Sequence, residues 1–288
     1  MFSRIVKIYL ILFISFFIGY SYVHYFFLKE ISSIGLDKFY VSYLIPIVIV
    51  SILTFILYRP ITEQLPLKTE KIGILFWIII SNSIAIPIGI SQEYFTELSY
   101  SLIEISTPGE VMLYPNEKFF TIQKYHINRN EFSVFQEQRR GQSKGRNFYV
   151  SNYYIVPLYS DTVNNKFNIT CGIYYSTAFN DRILSADGVA KEIENFNISS
   201  ANNILGYNFF GIKFFERLLD KDQMLNFQSA WMFNTSRNQM NNPIVLIPQQ
   251  EEFSDFLSDK RDVAVISTLV SLIITILFLS YLRVKYDL

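Results

Sequence analysis

The chain has 288 residues, of which 50% are apolar and only 17% carry a charge, and its formal net charge is zero. A zero net charge excludes a strong overall field that would recruit nucleic acid, and so low a charged fraction is unusual for a soluble protein. The single cysteine, Cys171, excludes an intramolecular disulfide.

Four long apolar segments predict membrane-spanning helices, since about 20 apolar residues cross the hydrocarbon core of a bilayer. They cover residues 8–28, 39–58, 72–90 and 263–282, and none contains Asp, Glu, Lys or Arg. The first is too long for a typical signal-peptide core and no small-residue cleavage site follows it, so we expect it to be retained. The chain thus divides into three spans within 1–90, a more polar domain over 91–262, and a fourth span with a short tail over 263–288.

Basic residues beside the spans predict their orientation, because Lys and Arg collect on the cytoplasmic side. The excess lies before the first span, after the second and after the fourth, at Arg4, Lys7, Arg59, Lys68, Lys71, Arg283 and Lys285. These three places share one side only when the number of spans is even. We therefore expect both termini in the cytoplasm, residues 91–262 outside it, and a bacterial inner membrane as the location.

Few polar side chains interrupt the spans. His24 lies near the outer end of the first span among several tyrosines, which favours an interfacial anchor over a proton relay. Ser81, Asn82 and Ser83 lie near the middle of the third span, with Pro87 beyond them. Such residues commonly join helices, and proline kinks them. The alternative is that they line a pore at a break in the third helix.

Residues 91–262 alternate between helical and strand-like patterns. Residues 92–104 have helical spacing, so we expect them to extend the third span or to lie on the membrane. Strand patterns follow over 118–125, 131–137, 148–159 (broken or bent near Pro157) and around Cys171. A helix is then predicted over 185–196, a strand over 209–215, a helix over 220–232, a short strand over 244–247 and a charged connector over 251–262. This order predicts an α+β domain whose early strands form an antiparallel sheet.

No spacing of residues predicts a metal, a cofactor or a catalytic centre. His24, His126 and Cys171 offer no ligand pattern, and no glycine-rich phosphate loop is present. Cys171 lies in an apolar strand-like run, which favours a buried small side chain over a nucleophile. A surface position is favoured for His126 over the base of a hydrolase, because no motif-like serine lies near it. We therefore expect no cofactor.

Two clusters are candidates for interaction. The first is basic and glycine-flanked, and fits either lipid headgroups or an acidic partner, with a solvated hairpin tip as the alternative: Arg139, Arg140, Lys144 and Arg146. The second mixes aromatic and charged residues as Phe215, Glu216 and Arg217. It predicts either a recognition edge or a strand that leaves the core and carries a surface ion pair.

Four short motifs carry a resemblance to a known family. They are Pro115-Asn116-Glu117-Lys118-Phe119-Phe120, Tyr154-Ile155-Val156-Pro157-Leu158, Gly172-Ile173-Tyr174-Tyr175 and Phe214-Phe215-Glu216-Arg217. Their order resembles the membrane-anchored, non-catalytic region that precedes the protease core of some rhomboid-like proteins of Bacteroidetes, over nearly the whole chain. The Gly-x-Ser-Gly serine of a rhomboid core is missing from the sequence, so the resemblance implies an accessory region and transfers no catalytic residue.

Three functional hypotheses remain open. The first is a non-enzymatic integral membrane protein whose extracytoplasmic domain binds a ligand or partner, such as another membrane or envelope protein, in an accessory, sensing or envelope role. The second is a membrane-anchored enzyme with an unfamiliar exposed site around His126 or the Glu216–Arg217 region. The third is a small transporter or channel, which the spans disfavour because they lack the charged residues that usually carry ions or protons. The bilayer itself is the partner common to all three.

Overall fold

A computed structural model describes residues 2–34, 40–62, 70–128, 131–141, 147–160, 169–180, 186–232 and 243–286. Its helices are α1 (Phe2–Ile34), α2 (Ile45–Thr62), α3 (Glu70–Leu98), α4 (Ala186–Leu205), α5 (Lys221–Met232) and α6 (Phe253–Tyr286). Its strands are β1 (Leu102–Ile105), β2 (Phe119–Ile122), β3 (His126–Ile127), β4 (Ser133–Arg140), β5 (Asn147–Tyr159), β6 (Ile169–Asn180), β7 (Phe214–Arg217) and β8 (Ile244–Gln249). They group into a helical unit, Met1–Ser99 with Ser254–Leu288, and a sheet unit, Tyr100–Phe253.

The helical unit contains four helical segments that are long and apolar enough to cross a membrane, counted over the described residues. They cover Phe2–Tyr25, Tyr40–Pro60, Gly73–Leu98 and Phe253–Lys285, and the second begins with a π-helical turn, Tyr40–Leu44. Phe76 and Ile80 are completely buried between helices, whereas Ile11 and Leu277 are about two-thirds exposed. Helices that are apolar on both their inner and outer faces suit a lipid surrounding.

α3 and α6 extend well beyond the predicted spans. α3 continues through Pro87 to Leu98, which agrees with the predicted extension of the third span and shows no break of the kind that the pore alternative requires. Pro87 has no backbone N–H to donate to the Ser83 carbonyl one turn earlier. One turn later, the hydroxyl of Ser91 donates to the Pro87 carbonyl at 2.7 Å. α6 begins at Phe253, so most of the predicted charged connector over 251–262 belongs to the same helix as the fourth span.

The sheet is mixed, so the predicted antiparallel arrangement holds for only part of it. The strand order is β1-β2-β7-β8-β6-β5-β3, and β4 also pairs with β5. The consecutive strands β4, β5 and β6 are antiparallel as predicted, but β1 runs parallel to β2 and β6 runs parallel to β8. Parallel pairs require a crossover of a dozen or more residues, so their partners are distant in sequence and short-range patterns do not report them.

The two faces of the sheet carry separate apolar cores. Along β5, Tyr154 and Val156 join the core that includes Ile204 of α4, while Tyr153 and Ile155 join the core that includes Phe227 of α5. This alternation places the two helices on opposite faces. β5 also runs unbroken through Pro157, whose expected break is not observed.

Local differences from the predicted elements have simple causes. Residues 92–104 divide between the end of α3 and strand β1, because Ile103 and Glu104 find partners on β2. The predicted strand over 209–215 begins as a 3₁₀ turn at Phe209–Gly211, and β7 follows at Phe214. α4 extends to Leu205, well past the predicted end at residue 196. Ser185, expected to cap this helix, lies outside the described residues.

Candidate functional site

The second sequence cluster lies on β7, which is an interior strand and therefore not a recognition edge. β7 pairs with β2 on one side and β8 on the other. Phe215 is 1% exposed in the core. Glu216 forms a salt bridge with Lys118, at 2.7 Å between Lys Nζ and Glu Oε1, and accepts a hydrogen bond from Gln249 at 3.2 Å. Arg217, at the end of the strand, lies beside a cavity.

Arg217 is a buried cation that is held by backbone carbonyls. Its Nη1 donates to the carbonyls of Tyr114, Pro115 and Glu117 at 2.7, 2.8 and 3.1 Å, and its Nη2 donates to Val111 at 2.6 Å. The guanidinium also lies 5.1 Å from the centre of the Phe120 ring. These contacts fix the segment over residues 111–117 to the end of β7.

The charge of Arg217 is not paired with a carboxylate in a salt bridge among the described residues. The side chain is only 7% exposed, and it forms no salt bridge with any described residue. Burial lowers the pKa of Arg217, and the charge of Glu117 opposes that shift. Its Nε is also without a hydrogen-bond acceptor among the described atoms. Carbonyl dipoles therefore balance a positive charge that a carboxylate would balance more completely.

A groove with a volume of about 370 Å³ lies next to Arg217. We call it the Arg217 groove. Four chain segments line it through Met112, Pro115, Arg217, Leu218, Leu219, Met224, Pro243, Ile244 and Val245. Arg217 is the one charged residue in that set, and the others are apolar. Such a combination of an apolar wall and a single polar group is typical of small-ligand sites, which range from about 300 to 1,000 Å³.

Local sequence signals hold the segments around the groove in place. Glu110 accepts hydrogen bonds from the backbone N–H of Thr107 at 3.0 Å and of Ser106 at 3.3 Å, which fixes the start of the 3₁₀ helix Pro108–Leu113. Asp220 accepts a hydrogen bond from the N–H of Gln223 at 2.9 Å, so it caps the start of α5. These two caps fix the direction of the backbone close to the lining residues Met112 and Leu219.

Part of the groove wall is accessible to solvent. Met112 is 49% exposed and Leu219 is 47% exposed. Exposed apolar side chains around a concavity mark sites where a ligand or partner removes them from water. Sequence analysis identified Arg217 but missed these two residues, because they lie in chain segments that only the sheet brings together.

The basic cluster is only partly described. Arg139 and Arg140 are exposed at the end of β4, and the Nε of Arg139 lies 2.5 Å from the Oε1 of Glu137. Lys144 and Arg146 lie outside the described residues. Two exposed arginines, one of them paired with a carboxylate, form no pocket of their own that the structure describes.

Neither candidate nucleophile nor base has a catalytic setting. Cys171 is completely buried, which confirms the predicted position, and burial raises the pKa of its thiol. A buried thiol with a raised pKa is a poor nucleophile. His126 is exposed on β3 and forms no side-chain hydrogen bond to a serine or carboxylate among the described residues. Within the described ranges, no group of three or more His, Cys, Asp or Glu residues is placed to hold a metal.

Polar residues of the helical unit bond mainly within or between helices. Asn82 donates to the Ile78 carbonyl of its own helix at 2.8 Å. Farther along α3, the amide of Gln92 donates to Ser21 of α1 at 3.1 Å, and Tyr43 donates to Glu93 at 3.2 Å. Hydrogen bonds of this kind join helices in a membrane bundle. Gln92 and Glu93 lie in the predicted extension of the third span, but no local pattern singles them out as partners of Ser21 and Tyr43.

Comparison of the chain with protein-family models, curated proteins and solved structures finds no significant match.

Proposed function

We propose that this protein is a non-enzymatic, multi-pass membrane protein whose sheet unit binds a ligand or partner through the Arg217 groove. The observation that carries the proposal is the groove itself, where apolar side chains from four chain segments surround one buried cation. The groove offers a binding surface without an accompanying nucleophile or base among the described residues that line it. Binding is the activity that this chemistry supports.

A location of the sheet unit outside the cytoplasm is part of the proposal. Its support is the distribution of Lys and Arg beside the four apolar helices, with Arg4 and Lys7 before the first and Arg283 and Lys285 at the end of the last. A bacterial inner membrane and an accessory, sensing or envelope role follow the same reasoning. The resemblance to the non-catalytic region of rhomboid-like proteins remains a prediction that agrees with such a role.

Thiol labelling tests the orientation, because the native cysteine is completely buried and provides an unreactive background. Lys191 of α4 and Ser3 of α1 are both exposed and suit single substitutions by cysteine. In intact spheroplasts, a membrane-impermeant maleimide is expected to label Lys191→Cys but not Ser3→Cys until the membrane is opened. The opposite pattern would reverse the proposed topology, and wild-type protein measures the background from Cys171.

Site-specific photocrosslinking in native membranes tests the binding role. A benzophenone amino acid replaces Leu219 in the groove, and a matched variant carries it at Ile198 of α4, which is 56% exposed and belongs to a helix on the opposite face of the sheet. After irradiation, mass spectrometry is expected to find a defined adduct at position 219 that is missing at position 198. Equal adducts at both positions, or none at position 219, would contradict binding at the groove.

A further inference from the structure

We infer that the ligand of the Arg217 groove is a small amphipathic carboxylate, with its charged head near Arg217 and its apolar chain along Met112, Leu219 and Met224. This inference rests on the proposed binding function and specifies its ligand class. It follows from three properties of the groove: the sign of its charge, the number of its charges and its size.

The sign of the charge in the groove follows from the environment of the Arg217 guanidinium. Arg217 is buried and has no salt bridge with a described carboxylate, while four carbonyl oxygens accept its Nη hydrogens. Carbonyl groups contribute dipoles and no net charge, and Glu117, whose charge acts on Arg217, forms no salt bridge with it among the described residues. The positive charge of Arg217 is therefore only partly offset where it adjoins the groove. A negative head group lowers its energy there because the surroundings are poorly screened by water.

The single positive charge in the groove favours a ligand with a single negative charge. Arg217 is the one charged side chain among the described lining residues, and the other lining side chains, Ile244, Val245 and Pro243 among them, are apolar. A phosphate with nearly two charges would leave one of them against apolar atoms, which is costly. A carboxylate has one negative charge, which matches the single positive charge of Arg217.

The size and the wall favour a small molecule with an apolar body. A volume of about 370 Å³ is close to the lower end of the range for ligand pockets. Met112 and Met224 contribute flexible thioether side chains that adapt to apolar ligands. The Nε of Arg217 is closed off from water, so we expect the head group to be attracted mainly through its charge rather than through a hydrogen bond to that atom.

Matched ligands test the inference without altering Arg217, whose carbonyl contacts are structural. Isothermal titration calorimetry on the full chain in lipid nanodiscs compares octanoate, 1-octanol and octylammonium, which share one chain length. Empty nanodiscs and a groove-filling Leu219→Trp variant correct for partition into lipid. We expect octanoate to bind at least about tenfold more tightly than octanol, and octylammonium to bind most weakly.

Two substitutions of opposite charge at one position on the rim of the groove give a second, independent test. Met112 is 49% exposed, so Met112→Glu and Met112→Lys both leave the core intact. Octanoate is expected to bind at least about fivefold more weakly to the Glu variant than to the Lys variant, whereas octanol is expected to bind both equally.

Each outcome distinguishes the inference from the proposed function. Equal affinity for octanoate and octanol, with both lost in Leu219→Trp, would overturn the carboxylate inference and leave the binding function standing. Octanoate binding that survives Leu219→Trp would place the ligand elsewhere and overturn the inference. If no ligand binds and position 219 also forms no photoadduct, both proposals fail.

Discussion

Replacement of Gly172 by alanine tests the packing that forms one wall of the groove. A β-carbon at this position would lie 2.5 Å from Cγ1 of Val245 and 3.0 Å from Cε1 of Phe227. Both neighbours are completely buried, so neither can move away into solvent. Val245 lines the Arg217 groove, and Phe227 belongs to the core under α5. Contacts this short require α5 or β8 to shift.

The expected magnitude follows from the cost of overpacking a core. Extra methyl groups in a well-packed core cost about 1–3 kcal/mol. For a unit of the size of Tyr100–Phe253, each kcal/mol lowers the melting temperature by about 2–4 °C, so Gly172→Ala should lower it by about 2–12 °C. Thermal unfolding of the full chain in detergent, followed by circular dichroism and by the fluorescence of Trp231, measures the change.

Two further variants make the test specific. Gly206→Ala adds the same methyl group within the same unit, but its nearest atom, the Asn202 carbonyl oxygen, lies at an ordinary 3.4 Å, so its effect should stay within about 0.5 kcal/mol. Val245→Ala removes the Cγ1 that causes the shortest contact, so combining it with Gly172→Ala should restore part of the lost stability relative to additivity. A Gly172→Ala protein as stable as wild type, with no coupling to position 245, would refute the packing described for α5 and β8.

Three other predictions concern polar groups of the sheet unit. Arg217→Met removes the guanidinium donor from four carbonyls, of which those of Val111 and Tyr114 keep a backbone N–H donor. The substitution should cost about 3 kcal/mol, with faster proteolysis over residues 111–117, and unchanged proteolysis would contradict the clamp. Asn152 is 2% exposed and forms hydrogen bonds with neighbouring amide and hydroxyl groups. Asn152→Ala should therefore lower the urea midpoint by an amount equivalent to about 1–3 kcal/mol. An unchanged midpoint would mean that the network is dispensable. The backbone N–H of Ser106, the Thr107 hydroxyl and the Thr107 N–H lower the pKa of Glu110. The stabilisation by the Glu110 carboxylate is therefore complete above the unfolded pKa near 4.5 and is lost as pH falls through the lower folded value. In that acidic window, Glu110→Gln should make the melting temperature depend less on pH than it does in the wild-type protein. An identical pH profile would contradict this role.

Elements that depend on neighbouring residues could be predicted from the sequence. The four apolar helices follow from continuous hydrophobic runs, because lipid imposes no partner-specific pattern on a helix. Strand β4 follows from local alternation, and α5 begins at Lys221, close to the predicted start at residue 220. Helical spacing over residues 92–104 predicts an extension of the third span, and α3 does continue, although it ends at Leu98 because β1 begins at Leu102.

The parallel strand pairs and the groove depend on contacts between distant parts of the chain. Cys171 lies opposite Leu246 and Leu102 lies opposite Phe119, and no short-range pattern reports such partners. Arg217 was a candidate from its aromatic and charged surroundings, yet its setting arises from carbonyls of residues 111–117, about a hundred residues earlier in the chain.

The sequence by itself determined that this protein has four helices able to cross a membrane and a separate α+β unit, because hydrophobic length and alternation are properties of adjacent residues. Only the tertiary structure decided that the sheet is mixed and that β7 lies inside it. It also decided that Arg217 is a buried cation beside an apolar groove. The physical reason is that a strand's partner and a side chain's burial depend on which distant segments fold together.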